Sequence, residues 1–295
     1  MVYARFAPMI SAASERSAIW RIVAVTVSAL GLLFVWLGAI ALVLSLVEDV
    51  SFETALRAIA GGDPATSSGA IIYFMIVGVL GLATLLAVRF WHRRGALSLI
   101  GPGARTLRHF VVAGAVTLGV VAILTIIPTA RDETTVRNLD VGVWLMWLPF
   151  ALIAVAAQTG AEELFFRGYL QSQIAARFRS PLVWLIVPAL AFAAAHYSPV
   201  FPTATALTYM AYAALFGVLA GDLTARTGSI GAAWGFHFAN NAVAVTIIAV
   251  DGTITGLGLF RSTSGLAELS VLSPWVLADL GALVLVWWCI RRVLD

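Results

Sequence analysis

The chain has 295 residues, of which 61% are hydrophobic and 11% are charged, and its mean hydropathy is +0.97. A soluble domain has about 25% charged residues with which to cover its surface, so the composition excludes an ordinary water-soluble protein. All 18 basic residues are arginines that lie mostly between apolar blocks, which predicts a lipid bilayer and no nucleic acid as the partner.

The apolar residues form blocks long enough to cross a bilayer, for which about 20 residues are needed. They predict an all-α fold, a polytopic transmembrane helix bundle of eight spans. The fourth span is expected to continue as a helix toward Phe178. In chain order the predicted spans are Ile22–Val47, Gly69–Val88, Phe110–Ile127, Val141–Ala161, Pro181–Tyr197, Thr203–Gly221, Ile230–Val250 and Pro274–Ile290.

The positions of the arginines predict that both termini lie inside. With this orientation, 14 of the 18 arginines fall on the inner side, and only Arg57, Arg131, Arg137 and Arg261 fall outside. Acidic residues are common in the predicted outer loops, among them Asp132, Glu133 and Glu268. The first apolar block is too long for a signal peptide, so we expect none to be cleaved.

Two pairs of glycines predict close contact between helices. Gly217 and Gly221 are four residues apart on the sixth span, and Gly231 and Gly235 have the same spacing on the seventh. Small residues at this spacing allow helix backbones to approach each other in lipid.

Ionisable residues inside membrane segments are costly, and they are therefore candidates for function. The end of the fourth span carries three such residues, Glu162, Glu163 and Arg167. Glu163 and Arg167 are four apart on one helix face, which predicts a structural ion pair. Glu162 points about 100° away, and without a local partner it suits a base that transfers protons.

The fifth span carries Phe192 and His196, again four residues apart. A turn near Arg179–Pro181 joins the fourth and fifth helices, and Glu162 and His196 are equally distant from residue 179. In an antiparallel helical hairpin such residues face each other, so Glu162 and His196 are expected at similar depth.

The seventh span contributes His237 and Asn241 on one helix face, and Asn240 is near enough to share that face. His237 lies about 10 Å past the start of this span. It matches the depth of Glu162 and His196 if the hairpin around Pro181 projects into the cytoplasm.

These side chains are typical of a hydrolase. A carboxylate and a histidine can hold and deprotonate a water molecule, and a second histidine with an amide can stabilise an oxyanion. Glu162, His196 and His237 can also supply a zinc site with two histidines and one glutamate. The sequence favours the metal-free alternative, with no cofactor required, and leaves zinc possible.

The three motifs resemble the CPBP family of intramembrane peptidases, the CAAX protease and bacteriocin-processing group, also called the ABI family. The motifs here are Glu162-Glu163-Leu-Phe-Phe-Arg167, Phe192-Ala-Ala-Ala-His196 and His237-Phe-Ala-Asn-Asn241. The resemblance, which extends to the type II CAAX prenyl endopeptidases, implies that Glu162 and His196 activate water. It also implies that His237 and Asn241 form the oxyanion site, with Glu163, Arg167, Phe192 and Asn240 in support.

The resemblance divides the chain into an N-terminal three-span region, residues 1–140, a peptidase core, residues 141–250, and an outer loop with the last span, residues 251–295. It implies a peptide or prenylated-protein substrate and a multi-pass location in a prokaryotic plasma membrane. The oligomeric state is not predicted. Two other functions remain open: a non-catalytic immunity or scaffold protein of the same fold, and a proton-coupled transporter.

Overall fold

The computed structural model describes residues 2–60, 62–125, 135–262 and 273–295, and in these ranges the protein is a bundle of α-helices. The predicted all-α class is therefore confirmed. After a short 3₁₀ turn at Ala4–Phe6, the first six helices are α1 (Ala7–Ser14), α2 (Ile19–Glu48), α3 (Phe52–Ala60), α4 (Ser67–His92), α5 (Leu97–Ile100) and α6 (Gly103–Thr125).

The second half of the chain contains the helices that carry the three motifs. They are α7 (Val141–Glu163), α8 (Ser172–Ala175), α9 (Pro181–Ala195), α10 (Thr203–Thr227) and α11 (Gly231–Thr246), followed by α12 (Pro274–Leu294). Between α7 and α8 the chain continues as a π-helix over Leu164–Gln171, so the helix continues well beyond Ala161, as predicted.

The predicted count of eight spans is not confirmed. Among the described residues, five helices are long and apolar enough to cross a membrane, and α9 is a shorter apolar helix. Helix α11, with 16 residues, is about 24 Å long, which is less than the roughly 30 Å of a hydrocarbon core. The five candidate spans are Ile19–Glu48, Ser67–His92, Gly103–Leu124, Val141–Ala175 and Thr203–Thr227.

The predicted C-terminal end of the seventh span, at Val250, was wrong. Helix α11 ends at Thr246, and Ile248–Val250 is a strand. It forms β2 of a small sheet with β1 (Thr135–Arg137) and β3 (Phe260–Ser262), in the order β1-β3-β2. Strand β3 pairs antiparallel with β1 and parallel with β2. Short β-branched runs near a helix end pair as strands when a partner strand is available, and that partner is distant in sequence.

Some predicted features lie outside the described residues. These are the end of the third span at Ile127, the charged residues Arg131, Asp132, Glu133 and Glu268, and residues 263–272 of the predicted outer loop.

Three of the four predicted glycines bring helix backbones into direct contact, whereas Gly221 faces the side chains of Leu185 and Gln171. A methyl group on Gly231 would overlap the carbonyl oxygen of Thr106, and one on Gly235 would overlap that of Phe110. Helix α11, which carries His237, therefore packs against the backbone of α6. On α10, a methyl group on Gly217 would come within 2.8 Å of Ala189 Cα.

A buried polar network holds the π-helix and α8, which together extend α7, against the N-terminal part of the chain. Gln173 donates from its amide nitrogen to the Arg16 carbonyl at 2.8 Å and to His92 Nδ1 at 3.1 Å. Because His92 Nδ1 accepts, its Nε2 carries the proton and donates to the Tyr169 hydroxyl at 3.0 Å. Arg94 donates to Gln173 Oε1 at 2.9 Å. None of these contacts follows from sequence spacing.

Asp222 connects three parts of the chain through one carboxylate that is 10% exposed. It accepts hydrogen bonds from the Tyr3 hydroxyl at 2.9 Å, from Arg226 Nε at 2.8 Å and from Trp287 Nε1 at 3.0 Å. Burial is the larger cause and the hydrogen bond to Asp222 the next, and together they raise the pKa of Tyr3 to about 12. The phenol therefore stays protonated and remains a donor at neutral pH.

We expect Asp222→Ala to lower the free energy of unfolding by about 3 kcal/mol, roughly 1 kcal/mol for each of the three partly buried donors that lose their acceptor. Tyr3→Phe removes one of these bonds and should cost about 1 kcal/mol. Unfolding of the detergent-solubilised protein measures both. Arg57→Gln is the control, since its ion pair with Glu53 is exposed and should contribute less than about 1 kcal/mol. Equal effects of Asp222→Ala and Arg57→Gln would contradict the role of Asp222.

Candidate active site

Glu163 lies at the last turn of α7 with no exposed surface. Its Oε1 atom accepts a hydrogen bond from Arg167 Nη1 at 2.8 Å, which is the ion pair expected from the spacing. The same oxygen accepts from His237 Nδ1, also at 2.8 Å. The sequence did not predict this second contact, which joins the first motif to the third across 74 residues.

Arg167 is surrounded by three phenylalanine rings and is 1% exposed. Its guanidinium carbon is 4.3 Å from the centroid of the Phe192 ring, 5.3 Å from that of Phe216 and 5.9 Å from that of Phe166. Cation–π attraction of this kind is strongest where water is excluded. Phe192, predicted as a supporting residue, therefore contacts the cation that pairs with Glu163.

Glu162 points to the other ring nitrogen of His237. Its Oε2 atom is 3.7 Å from His237 Nε2, and this buried oxygen has no hydrogen-bond partner among the described residues. His237 thus lies between two consecutive carboxylates, with Nδ1 bonded to Glu163 and Nε2 directed at Glu162. The different partners of the two glutamates agree with their predicted orientations on the helix.

His196 follows the last residue of α9, and its Nδ1 donates to the Phe192 carbonyl at 2.8 Å. In the neutral imidazole this leaves Nε2 as a proton acceptor. Phe166 and Phe192, which are equally distant from residue 179, have ring centroids 5.0 Å apart. Glu162 and His196 lie one turn further along the same two helices, although no hydrogen bond or ion pair joins them in the described part of the chain.

Asn241 belongs to a chain of hydrogen bonds that runs across three helices. The Tyr212 hydroxyl donates to Asn240 Oδ1 at 3.3 Å, and Asn240 Nδ2 donates to Asn241 Oδ1 at 3.4 Å. Asn241 Nδ2 donates in turn to Gln158 Oε1 at 3.4 Å. Gln158 is one turn before Glu162 on α7, so the chain leads from α10 through α11 to the helix of the two glutamates.

Three contributors were missed by the sequence analysis: Gln158, Tyr212 and Phe216. Gln158 could have been found as a polar residue four positions before Glu162, on the same helix face. Tyr212 and Phe216 lie on α10, which carries none of the motifs, and no spacing rule connects them to His237.

The alternative of a zinc site formed by Glu162, His196 and His237 stays a prediction. Among the residues that the structure describes, no group of three or more His, Cys, Asp or Glu side chains is arranged to hold a metal ion. His237 Nδ1 is bonded to Glu163 and His196 Nδ1 to a backbone carbonyl, so each histidine has only Nε2 available. A free Nε2 with Nδ1–H donated to a carboxylate or carbonyl is also how zinc-bound histidines are held, so these bonds do not separate the metal-free from the zinc alternative, and we derive no step through a metal.

Comparison with known proteins finds a family that the segment containing these residues is similar to. Residues 142–243 match the model of the family described as "Type II CAAX prenyl endopeptidase Rce1-like". The family resemblance is confirmed. The matching segment begins with α7 and ends within α11, so it contains all three motifs.

The curated proteins include one similar chain, the uncharacterized protein YyaK of Bacillus subtilis (strain 168). It is 29% identical over 204 residues, which are 67% of this chain and 66% of YyaK. The match thus spans slightly less than two thirds of that relative. No solved structure matches the chain significantly.

We expect Arg167→Met and Glu163→Gln each to lower the free energy of unfolding by about 3–5 kcal/mol. Each change leaves a buried charge without its partner. The double variant Glu163→Gln/Arg167→Met should be much more stable than the sum of the two losses predicts, because it removes both charges and keeps a side chain among the phenylalanines. Unfolding of the four proteins in detergent measures this coupling, and strictly additive losses would contradict it.

Proposed function

We propose that the protein is an intramembrane endopeptidase that hydrolyses a peptide bond of a membrane-associated or prenylated substrate. The observation that carries the proposal is the approach of Glu162 Oε2 to within 3.7 Å of His237 Nε2. This buried carboxylate oxygen has no hydrogen-bond partner in the described chain, and it lies beside an imidazole that Glu163 holds in place. The match of residues 142–243 to a peptidase family supports the same chemistry.

In the proposed reaction Glu162 takes a proton from water, and the resulting hydroxide attacks the substrate carbonyl carbon. His196 assists by accepting a hydrogen bond from the same water through Nε2, the nitrogen not bonded to the Phe192 carbonyl. The proton held by Glu162 then passes to the leaving amine. Water is thereby added across the C–N bond, with hydroxyl on the acyl carbon and hydrogen on the nitrogen.

His237 and Asn241 are the proposed donors to the oxyanion. The Nδ1–H of His237 is bonded to Glu163, so Nε2, which lies 3.7 Å from Glu162 Oε2, is the nitrogen left to donate to an oxyanion formed beside Glu162. The 3.4 Å bond from Asn241 Nδ2 to Gln158 is long, and an oxyanion can replace Gln158 as acceptor. Donors that are already oriented in a water-poor site stabilise an oxyanion strongly.

The first test compares the wild type with Glu162→Gln and His196→Ala on a peptide library that includes prenylated CAAX peptides. We expect each substitution to reduce kcat by about 10²–10⁴-fold, because proton transfer to the attacking water is lost. Cleavage is followed by mass spectrometry. Glu53→Gln is the matched control, since Glu53 is exposed on α3 and should leave the rate unchanged.

Two results would overturn the proposal. One is cleavage that persists at the wild-type rate in Glu162→Gln. The other is a folded wild type that cleaves none of the peptides, which would favour the non-catalytic scaffold. A flux of protons or solute that depends on Glu162, without cleavage, would favour the transporter.

A second prediction concerns Glu163, which touches His237 and is not expected to touch the substrate. In Glu163→Gln/Arg167→Met the imidazole loses its carboxylate partner, so kcat should fall by about tenfold or more while KM changes little. The steady-state constants of this double variant are measured beside its unfolding free energy. A normal kcat in this variant would show that His237 does not need Glu163.

A further inference from the structure

A basic cleft lies on the surface of the bundle, where the N-terminal turn, the start of α6 and the end of α12 meet. It has a volume of about 490 Å³, within the range of about 300–1,000 Å³ common for small-molecule sites. The cleft does not include any of the motif residues. Its lining includes Arg5, Arg105, Arg108, His109, Val293 and Leu294.

The charge of this cleft is not balanced by acidic side chains. In the described part of the chain, no carboxylate lies within 4 Å of the guanidinium nitrogens of Arg5, Arg105 or Arg108. The nearby Asp295 is 3.9 Å from both Arg226 and Arg291, which lie outside the cleft. Three positive charges around one cavity repel each other, and a bound anion would remove that repulsion.

Two further features favour a phosphate group as the anion. Arg105 and Arg108 are three residues apart on one helix face, so both guanidinium groups can reach one ligand, and each can bind phosphate oxygens in pairs. Helix α6 begins at Gly103, next to the cleft, and the first N–H groups of a helix attract anions.

Apolar side chains at the cleft favour a lipid as the source of the phosphate. Val293, which is 59% exposed, and Leu294 both line the cleft. A free phosphate would gain nothing from them, whereas a phospholipid can lay its glycerol and acyl region against such residues.

We propose that this cleft binds the phosphate group of an anionic phospholipid. His109 connects the cleft to the helices that carry the candidate active site, because its Nδ1 is hydrogen-bonded to Ser229 at 3.3 Å, just before α11. The bound lipid would thus stabilise the α6–α11 contact without touching Glu162 or His237. The inference does not depend on the proposed peptidase activity.

The test titrates the delipidated protein, in a zwitterionic detergent, with phosphatidylglycerol, with phosphatidylcholine and with inorganic phosphate in separate arms. Binding is followed by native mass spectrometry and melting temperature. The test variant is Arg105→Gln/Arg108→Gln. The matched control is Arg177→Gln/Arg179→Gln, which removes two exposed arginines at the α8–α9 turn, away from the cleft.

We expect saturable binding of phosphatidylglycerol that raises the melting temperature of the wild type and of the control. The test variant should bind it about 30-fold more weakly, roughly fivefold for each arginine removed. Arg5→Gln, a single change on the opposite side of the cleft, should weaken binding about fivefold and serves if the double variant is unstable.

Three results would overturn the proposal. Equal weakening in the test and control variants would indicate general charge attraction, and equal binding of phosphatidylcholine would remove the role of the lipid charge. Saturable binding of inorganic phosphate at the cleft, with no added stabilisation by phosphatidylglycerol, would make free phosphate the ligand.

Discussion

Glu163 is a carboxylate with no exposed surface, and its Oε1 atom is shared between Arg167 and His237 at 2.8 Å each. A buried charge is costly unless it is paired and hydrogen-bonded, and here one oxygen satisfies both a cation and an imidazole. Because Arg167 is itself surrounded by phenylalanine rings from α9, α10 and the π-helix, the pair can persist only while these elements stay packed together. The position of His237, and with it the geometry of the candidate active site, depends on this one carboxylate.

The rest of the bundle keeps the helices of the site in register. Gly231 and Gly235 let α11 approach the backbone of α6, so His237 is carried by a helix that has little freedom to shift. The π-helix that follows Glu163 widens the turn around Arg167, and π-helical segments are frequent at functional sites. Beyond it, Gln173 and its polar partners join the same helix to the N-terminal part of the chain.

The two neighbouring glutamates on one helix have different surroundings. Glu163 faces Arg167 and His237 Nδ1 through Oε1, whereas Glu162, one residue earlier, faces His237 Nε2 through Oε2. Both Glu162 Oε2 and Glu163 Oε2 are buried without a hydrogen-bond partner among the described residues. The hydrogen-bond chain from Tyr212 to Gln158 orients the amide of Asn241 from the other side. The proposed reaction gives the chemical role to Glu162 and the structural role to Glu163.

The sequence by itself determined the membrane helix bundle, the three motifs and the pairing of Glu163 with Arg167. Apolar block length, charge placement and i,i+4 spacing are local properties that can be counted along one helix. The number of spans was predicted less well, because the short helix α11 and the strand Ile248–Val250 depend on what they pack against. Three contacts were decided only by the tertiary structure. Glu163 accepts a hydrogen bond from His237, the Phe216 ring packs against the Arg167 guanidinium, and Gln158 accepts a hydrogen bond from Asn241. These contacts join residues 49 to 83 positions apart, and helix packing, which sequence spacing does not encode, brings them together.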